Sequence, residues 1–227
     1  GTINTIALRC FDYHIGVSDA VSQMLIERGF DPQTMFSIYN GVDFTPRTPA
    51  MGREDYLRSV GLEAGADDVV FGIAARLNPV KDVATLIRGF ALAAKEHPNI
   101  RLLIAGDGED ADMLKKLCDQ LGVRERVTFC GWVSPVMPFF RAMDINLLSS
   151  VSETFPYSIL EGVCAGCATI CSDVGGMPEL IDTGENGYIF PVGDDKKLAE
   201  YMARLANDAA LRHTFAEALY AKASRDF

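Results

Sequence analysis

From Asp68 onward the chain alternates short apolar runs with segments of helical period, and few folds accept that pattern. Val69 to Ala74, Arg101 to Ala105, Arg126 to Cys130, Asp144 to Leu148 and Ala168 to Ser172 are predicted strands, with a short one at Tyr188 to Phe190. Between them, Val83 to Lys95, Ala111 to Leu121, Pro135 to Ala142, a segment opening after Thr154, and Met177 to Ile181 are predicted helices; two more helices close the chain. In Val83 to Lys95, Leu86, Ile87, Phe90 and Ala94 recur at helical spacing and form the inward face. Strands alternating with helices require right-handed βαβ crossovers and a parallel sheet covered on both faces. The expected fold is α/β, a doubly wound parallel sheet of Rossmann-like type.

Upstream the pattern differs. Ile3 to Phe11 reads as the end of a helix and Tyr13 to Val17 as a strand; Ser18 caps a helix through Arg28 that Gly29 stops. Met35 to Tyr39 is a short strand, and Asn40-Gly41-Val42-Asp43 turns the chain. Phe44 to Arg53 is Pro- and Gly-rich and aperiodic, which marks a linker, with a helix from about Glu54 to before Gly61. The expected division is therefore 1–45 as the tail of a preceding domain, 46–67 as linker and entry segment, and 68–227 as the main domain. The chain begins in mid-pattern and reads as a piece of a longer protein, with no visible signal peptide. Its formal net charge of −10 argues against a nucleic-acid partner, because phosphate contacts need clustered cations. No apolar run reaches the roughly 18 residues of a membrane helix.

The six cysteines lie in apolar segments, as expected of buried free thiols in a reducing, cytoplasmic compartment. Cys164-x-x-Cys167 is a lone pair in an Ala/Gly-rich helix end and reads as packing, so no metal is expected.

Candidate chemistry sits where strands end. Ile145 to Leu148 leads into Ser152-Glu153-Thr154-Phe155-Pro156-Tyr157-Ser158-Ile159-Leu160-Glu161, where the period turns helical. Thr154 is the expected N-cap, with Pro156 in the first turn. Glu153 then lies at a strand's C-terminal end and Glu161 about a turn and a half into the helix. That edge is where open α/β sheets bind ligands, with helix N–H groups free to meet an anion. Ala75-Arg76-Leu77-Asn78-Pro79-Val80-Lys81-Asp82 puts two cations on one loop at the same edge, suited to a diphosphate or simply solvated. Gly106-Asp107-Gly108-Glu109-Asp110-Ala111 matches the dinucleotide fingerprint, yet the next strand ends Cys130-Gly131-Trp132-Val133 without the acid that would bind ribose. The glycines equally suit a tight strand-to-helix turn. Gly131 and Trp132 are placed to border a base or to pack. After Ala168 to Ser172, Gly175-Gly176 permits close backbone approach, and Glu179 complements the dipole of its own helix.

These residues together resemble the donor-binding half of a GT-B glycosyltransferase, specifically the retaining family 4 (group 1). Ser18-Asp19-Ala20-Val21 and Ile38-Tyr39-Asn40-Gly41-Val42-Asp43 resemble that family's passage out of its N-terminal domain. Ala75-Arg76-Leu77 with Lys81, Gly106-Asp107-Gly108, Gly131-Trp132-Val133, Glu153-x7-Glu161, Ser172-Asp173-Val174-Gly175-Gly176 and Pro178-Glu179 follow in the family's order. Each is common alone; the ordered set is specific. The resemblance implies a hexosyltransferase-type enzyme that moves a sugar from a nucleoside-diphosphate sugar to an acceptor hydroxyl. Arg76 and Lys81 are then the cations on the diphosphate, without cofactor or metal, and Glu161 accepts from the ribose. Glu153 faces the sugar as a positioning group. Retaining members are generally thought to proceed by front-face attack with the departing phosphate as base, which disfavours the acid-and-nucleophile pair of a glycoside hydrolase.

The resemblance further implies that backbone around Gly108, Gly131, Trp132, Thr154, Phe155, Tyr157 and Ser158 completes the donor site. Pro156 stands where many members have Gly and removes one N–H. An acceptor glycan, lipid or small molecule would be bound mainly by an N-terminal domain. In the full-length protein, peripheral association with the inner face of the membrane would reside there too. A nicotinamide-dinucleotide oxidoreductase domain, a non-catalytic sugar-nucleotide-binding module and a purely structural α/β domain are the competing readings.

Overall fold

A computed structural model describes residues 11–45, 51–65 and 67–227. The expected helix end at Ile3 to Phe11 falls almost entirely outside the described residues, as do Cys10 and positions 46–50 of the linker. The chain opens with a two-stranded parallel pair, β1 (His14–Gly16) and β2 (Met35–Ser37), linked through α1 (Asp19–Glu27). Ser18 caps α1, its Oγ accepting from the Val21 N–H at 3.2 Å. Both strands are shorter than expected. The entry helix α2 (Arg53–Ser59) follows.

Six parallel strands then form one sheet: β3 (Val69–Ala74), β4 (Ile100–Ala105), β5 (Val127–Gly131), β6 (Ile145–Leu148), β7 (Ala168–Ser172) and β8 (Tyr188–Phe190). Their spatial order is β5-β4-β3-β6-β7-β8. The chain winds outward from β3 to β5, returns to place β6 beside β3, and winds outward the other way. The crevice outside the carboxyl ends of β3 and β6 is therefore the topological switch point, where such sheets bind ligands. The crossovers are α3 (Val83–Ala93), α4 (Ala111–Gln120), α5 (Met137–Arg141), α6 (Tyr157–Cys164) and α7 (Met177–Leu180), and α8 (Asp195–Asn207) and α9 (Ala209–Asp226) complete the layers.

The unbroken apolar strands follow from burial on both faces. Val69, Phe71 and Ile73 of β3 enter the core beneath α3, α4 and α8, while Val70 and Ala74 enter the opposite one beneath α2 and α5. Large side chains here, such as Phe71 and Phe90, are fully buried, and truncating one to Ala typically costs about 3–5 kcal/mol. A third cluster joins Leu148, Phe155, Ile159, Leu160 and Met177 to Leu219 and Ala223 of α9, and Val17, Tyr39, Val42 and Phe44 pack onto it. The described residues between Val17 and Phe44 are thus seated on the main domain. Cys118, Cys167 and Cys171 are buried and, like Cys130 and Cys164, free, packing as small apolar groups.

One boundary expectation fails. The helix after Glu153 begins at Tyr157, with Pro156 as N-cap at φ −75°, ψ 130° and no side-chain cap. Thr154 is not the cap. A residue before proline is pushed out of the helical region, so Phe155 cannot begin the helix and Thr154 lies too far upstream to cap it.

Candidate functional site

The loops leaving β3, β4 and β5 are bound to one another. The Ala75 N–H donates to Ala105 O at 3.0 Å and the Gly106 N–H to Gly131 O at 2.7 Å; the Leu77 N–H donates to Asp107 O at 2.9 Å and the Asp110 N–H to Leu77 O at 3.0 Å. This packing explains the glycines of the fingerprint-like stretch. Gly106 has φ +127°, and a Cβ there would lie 1.8 Å from Ala75 O; one on Gly108 would lie 2.1 Å from Leu77 O. The two glycines let one loop lie on another and so fix the backbone that carries Arg76.

Lys81 and Glu153 meet at the switch point. The Lys81 ammonium donates to Glu153 Oε1 as a salt bridge, with side-chain exposures of 24% and 11%. Three buried serines hold this pair from beneath. Ser150 Oγ donates to the same Glu153 Oε1 at 2.7 Å, Ser149 Oγ donates to Lys81 O at 2.9 Å, and Ser172 Oγ donates to Ser150 O at 2.7 Å. The Val151 N–H donates to Val80 O at 2.9 Å and ties the two loops directly. The Lys81 N–H donates to Asn78, and Asp82, in the left-handed region at φ 42°, caps α3 through Thr85 N. Behind Glu153, the Gly176 N–H donates to Thr154 O at 2.8 Å.

Arg76, Trp132 and Glu161 share a separate cleft of about 440 Å³, lined also by Ala105, Gly106 and Val133. Arg76 and Trp132 are exposed, Trp132 at 83%. Trp132 therefore sits on the rim rather than in the core. Glu161 is half-buried, and burial raises its carboxyl above the ordinary carboxylate range. Of the expected site residues, the structure pairs Lys81 with Glu153 and gathers Arg76, Trp132 and Glu161 around one cleft. Tyr157 and Ser158 open α6, where N–H groups lack intrahelical acceptors. Phe155 is 1% exposed and stacked on Phe227, so only its backbone could face a ligand. Ser158 O accepts from Asn146 Nδ2 at 2.9 Å.

Glu179 lies in the first turn of α7, as expected, and does more than complement that helix. Its carboxylate serves another helix, accepting from the Asp19 and Ala20 N–H groups at the start of α1 at 3.1 and 2.8 Å and from the Tyr39 hydroxyl at 2.6 Å. Burial, and then that contact, raise Tyr39's pKa. The Asn40 amide donates to Phe155 O at 2.7 Å. The sequence does not mark Ser149 and Ser150 as site residues, and it gives Ser172 only as the start of a glycine motif. Their signal is polar side chains at or just past the ends of apolar strands, where a solvated residue and a buried donor look alike.

A family model described as Glycosyl transferases group 1 matches residues 60–222. An uncharacterised glycosyltransferase of Methanocaldococcus jannaschii is 32% identical over 181 residues, covering 77% of this chain and 45% of its own. HepE of Anabaena, solved in complex with UDP-glucose, superposes with a TM-score of 0.90 at 26% identity, over 100% of this chain and 63% of its own. The C-terminal domain of the group 1 glycosyl transferase LpcC from Francisella tularensis superposes with a TM-score of 0.72 at 25% identity, covering 82% and 98% of the two chains. The chain spans less than half the length of the curated relatives it matches.

Proposed function

Because the chain belongs to the glycosyl transferases group 1, we propose that it is the donor-binding part of a retaining, family 4 enzyme that moves a sugar from a nucleoside-diphosphate sugar to an acceptor hydroxyl. One observation carries the reading. Arg76 and Lys81, on the loop after β3, and Glu153 and Glu161, on the loop and helix after β6, come to one sheet edge at the switch point, as the Lys81–Glu153 ion pair and the neighbouring cleft of Arg76 and Glu161. In this reading Arg76 and Lys81 hold the diphosphate and stabilise the charge of the leaving nucleoside diphosphate, without a metal ion. Glu161 accepts from the ribose hydroxyls, and Glu153 orients the sugar ring. Gly131, Trp132 and Val133 border the base. The Gly108 backbone, Thr154 and the N–H groups of Phe155, Tyr157 and Ser158 complete the site, with Pro156 contributing none.

The acceptor, whether glycan, lipid or small molecule, is assigned to chain outside 46–227, as is any association with a membrane surface. Among the described residues no helix is long and apolar enough to cross a membrane. The complex of HepE with UDP-glucose supports a nucleotide sugar as the ligand class.

Calorimetric titration with UDP, GDP and ADP in EDTA tests the assignment. Lys81→Ala should weaken the nucleoside diphosphate that binds by roughly 10- to 100-fold, the worth of a charge-assisted hydrogen bond, and leave the free nucleoside nearly unchanged. Equal losses for both would remove Lys81 from the diphosphate.

A further inference from the structure

We infer that Glu153 is an internal competitor of the diphosphate, so that the site favours a nucleotide sugar over the free nucleoside diphosphate that transfer leaves behind. The inference rests on the donor-site reading above and deepens it. In the structure Lys81, the cation assigned to the diphosphate, is already paired with Glu153. The two partners are not equally held. Glu153 receives a second hydrogen bond from Ser150, which is fully buried and anchored through its carbonyl by Ser172. Lys81 is fixed at its backbone by Asn78 and Ser149, but its ammonium ends a flexible four-carbon stem with three donors. An arriving diphosphate therefore draws the ammonium toward itself, while the carboxylate stays where Ser150 holds it.

A fixed carboxylate at that point treats the two ligands differently. The terminal phosphate of a free nucleoside diphosphate is a monoester-type group carrying about −1.5 to −2 charges near neutrality. In the nucleotide sugar the same phosphate is esterified, carries one charge, and presents sugar hydroxyls that can donate to a carboxylate. Glu153 repels the first and accepts from the second. The nucleoside diphosphate produced by transfer becomes the ligand that the site disfavours, and its departure restores the ion pair.

The test titrates the parent and Glu153→Gln proteins with UDP, GDP and ADP and with their glucose conjugates, by calorimetry at low ionic strength. The amide keeps the shape and removes the charge. Glu153→Gln should bind the free nucleoside diphosphate roughly tenfold tighter, the scale of one unit charge at short range near a protein surface. The glucose conjugate should gain much less or lose affinity. Should the Gln protein fail to fold, Glu153→Asp, which withdraws the carboxylate by one methylene, should move the two affinities in the same directions. If the free diphosphate binds the parent but no tighter to the variants, or if both ligands gain equally, the inference is wrong and the donor site stands. If none of these nucleotides binds the parent or a variant, the donor-site reading falls and takes the inference with it.

Discussion

Glu153 and Glu161 flank the opening of α6, yet inside the fold one carboxylate meets a cation and a hydroxyl while the other meets mainly burial. Glu153 is matched by the Lys81 ammonium and by Ser150, which rest on buried serine hydrogen bonds. Glu161 lines an open cleft with Arg76 and Trp132, forms no salt bridge among the described residues, and has its carboxyl raised by desolvation. The fold supplies what Glu153 needs. It leaves Glu161 to bear a desolvation cost that hydroxyl donors from outside would offset, which is how binding groups differ from structural ones. The first region should therefore weaken when its charge or support is removed. The second should gain stability and lose only ligand affinity.

The largest effect expected in breaking the first region comes from Gly175→Ala. Gly175 has φ +53°, and a Cβ there would lie 2.4 Å from Glu153 O and 2.6 Å from Thr154 O. Both atoms are backbone, so relief requires moving the loop that carries Glu153. Backbone strain together with that displacement should cost about 3 kcal/mol, read as a lower urea midpoint. Affinity for the nucleotide sugar should fall as well, because the Lys81–Glu153 pair shifts out of register.

How far this contrast was legible beforehand depended on the range of the interactions. The strands were visible because a sheet covered on both faces writes continuous apolar runs such as Ile145 to Leu148. Arg76 and Lys81 were visible as two cations on one loop after a strand, Glu153 as a carboxylate at a strand's end, and Glu161 through its place in the helix that follows and its spacing from Glu153. The start of α6 was misplaced because a Thr-x-Pro stretch satisfies cap rules at Thr154, and only the extended backbone of Pro156 decides otherwise. The second role of Glu179 was not legible because its partners, the Asp19 and Ala20 N–H groups and Tyr39, lie at the other end of the chain, so no local periodicity points to them. Ser150 carries no such signal either, since two residues past the end of β6 a buried hydroxyl and a solvated one look the same in sequence.

Ser150→Ala isolates that hidden support and should have an intermediate effect. The substitution deletes the hydroxyl that donates to Glu153 Oε1 but leaves the Lys81 salt bridge and the Ser150 carbonyl in place. A hydrogen bond to a charged acceptor at a buried position is worth about 2 kcal/mol, so the urea midpoint should fall with an unchanged slope. An unaltered midpoint would mean that Lys81 alone holds Glu153, and that the serines beneath it are incidental.

Glu161→Gln is the smallest expected effect and the one of opposite sign. Because burial raises the folded-state pKa of Glu161 above its unfolded value, the ionised side chain opposes folding. The penalty is fully developed above the folded pKa and disappears as pH falls below the unfolded one, where both states are protonated. Gln carries no charge at any pH. The variant should therefore melt higher than the parent at pH 7, and the difference should shrink toward about pH 4, near the ordinary carboxylate range. Half of the side chain still meets solvent, so the gain should stay below about 1 kcal/mol, or roughly 3 °C in Tm for a domain of this size. On the proposed ribose contact, nucleotide affinity should move the other way, because an amide is a weaker acceptor for hydroxyls than a carboxylate. In the parent, that affinity should fall as acid protonates Glu161. A variant that is less stable at pH 7 would show that Glu161 has a partner inside the fold, and the contrast between the two carboxylates would collapse.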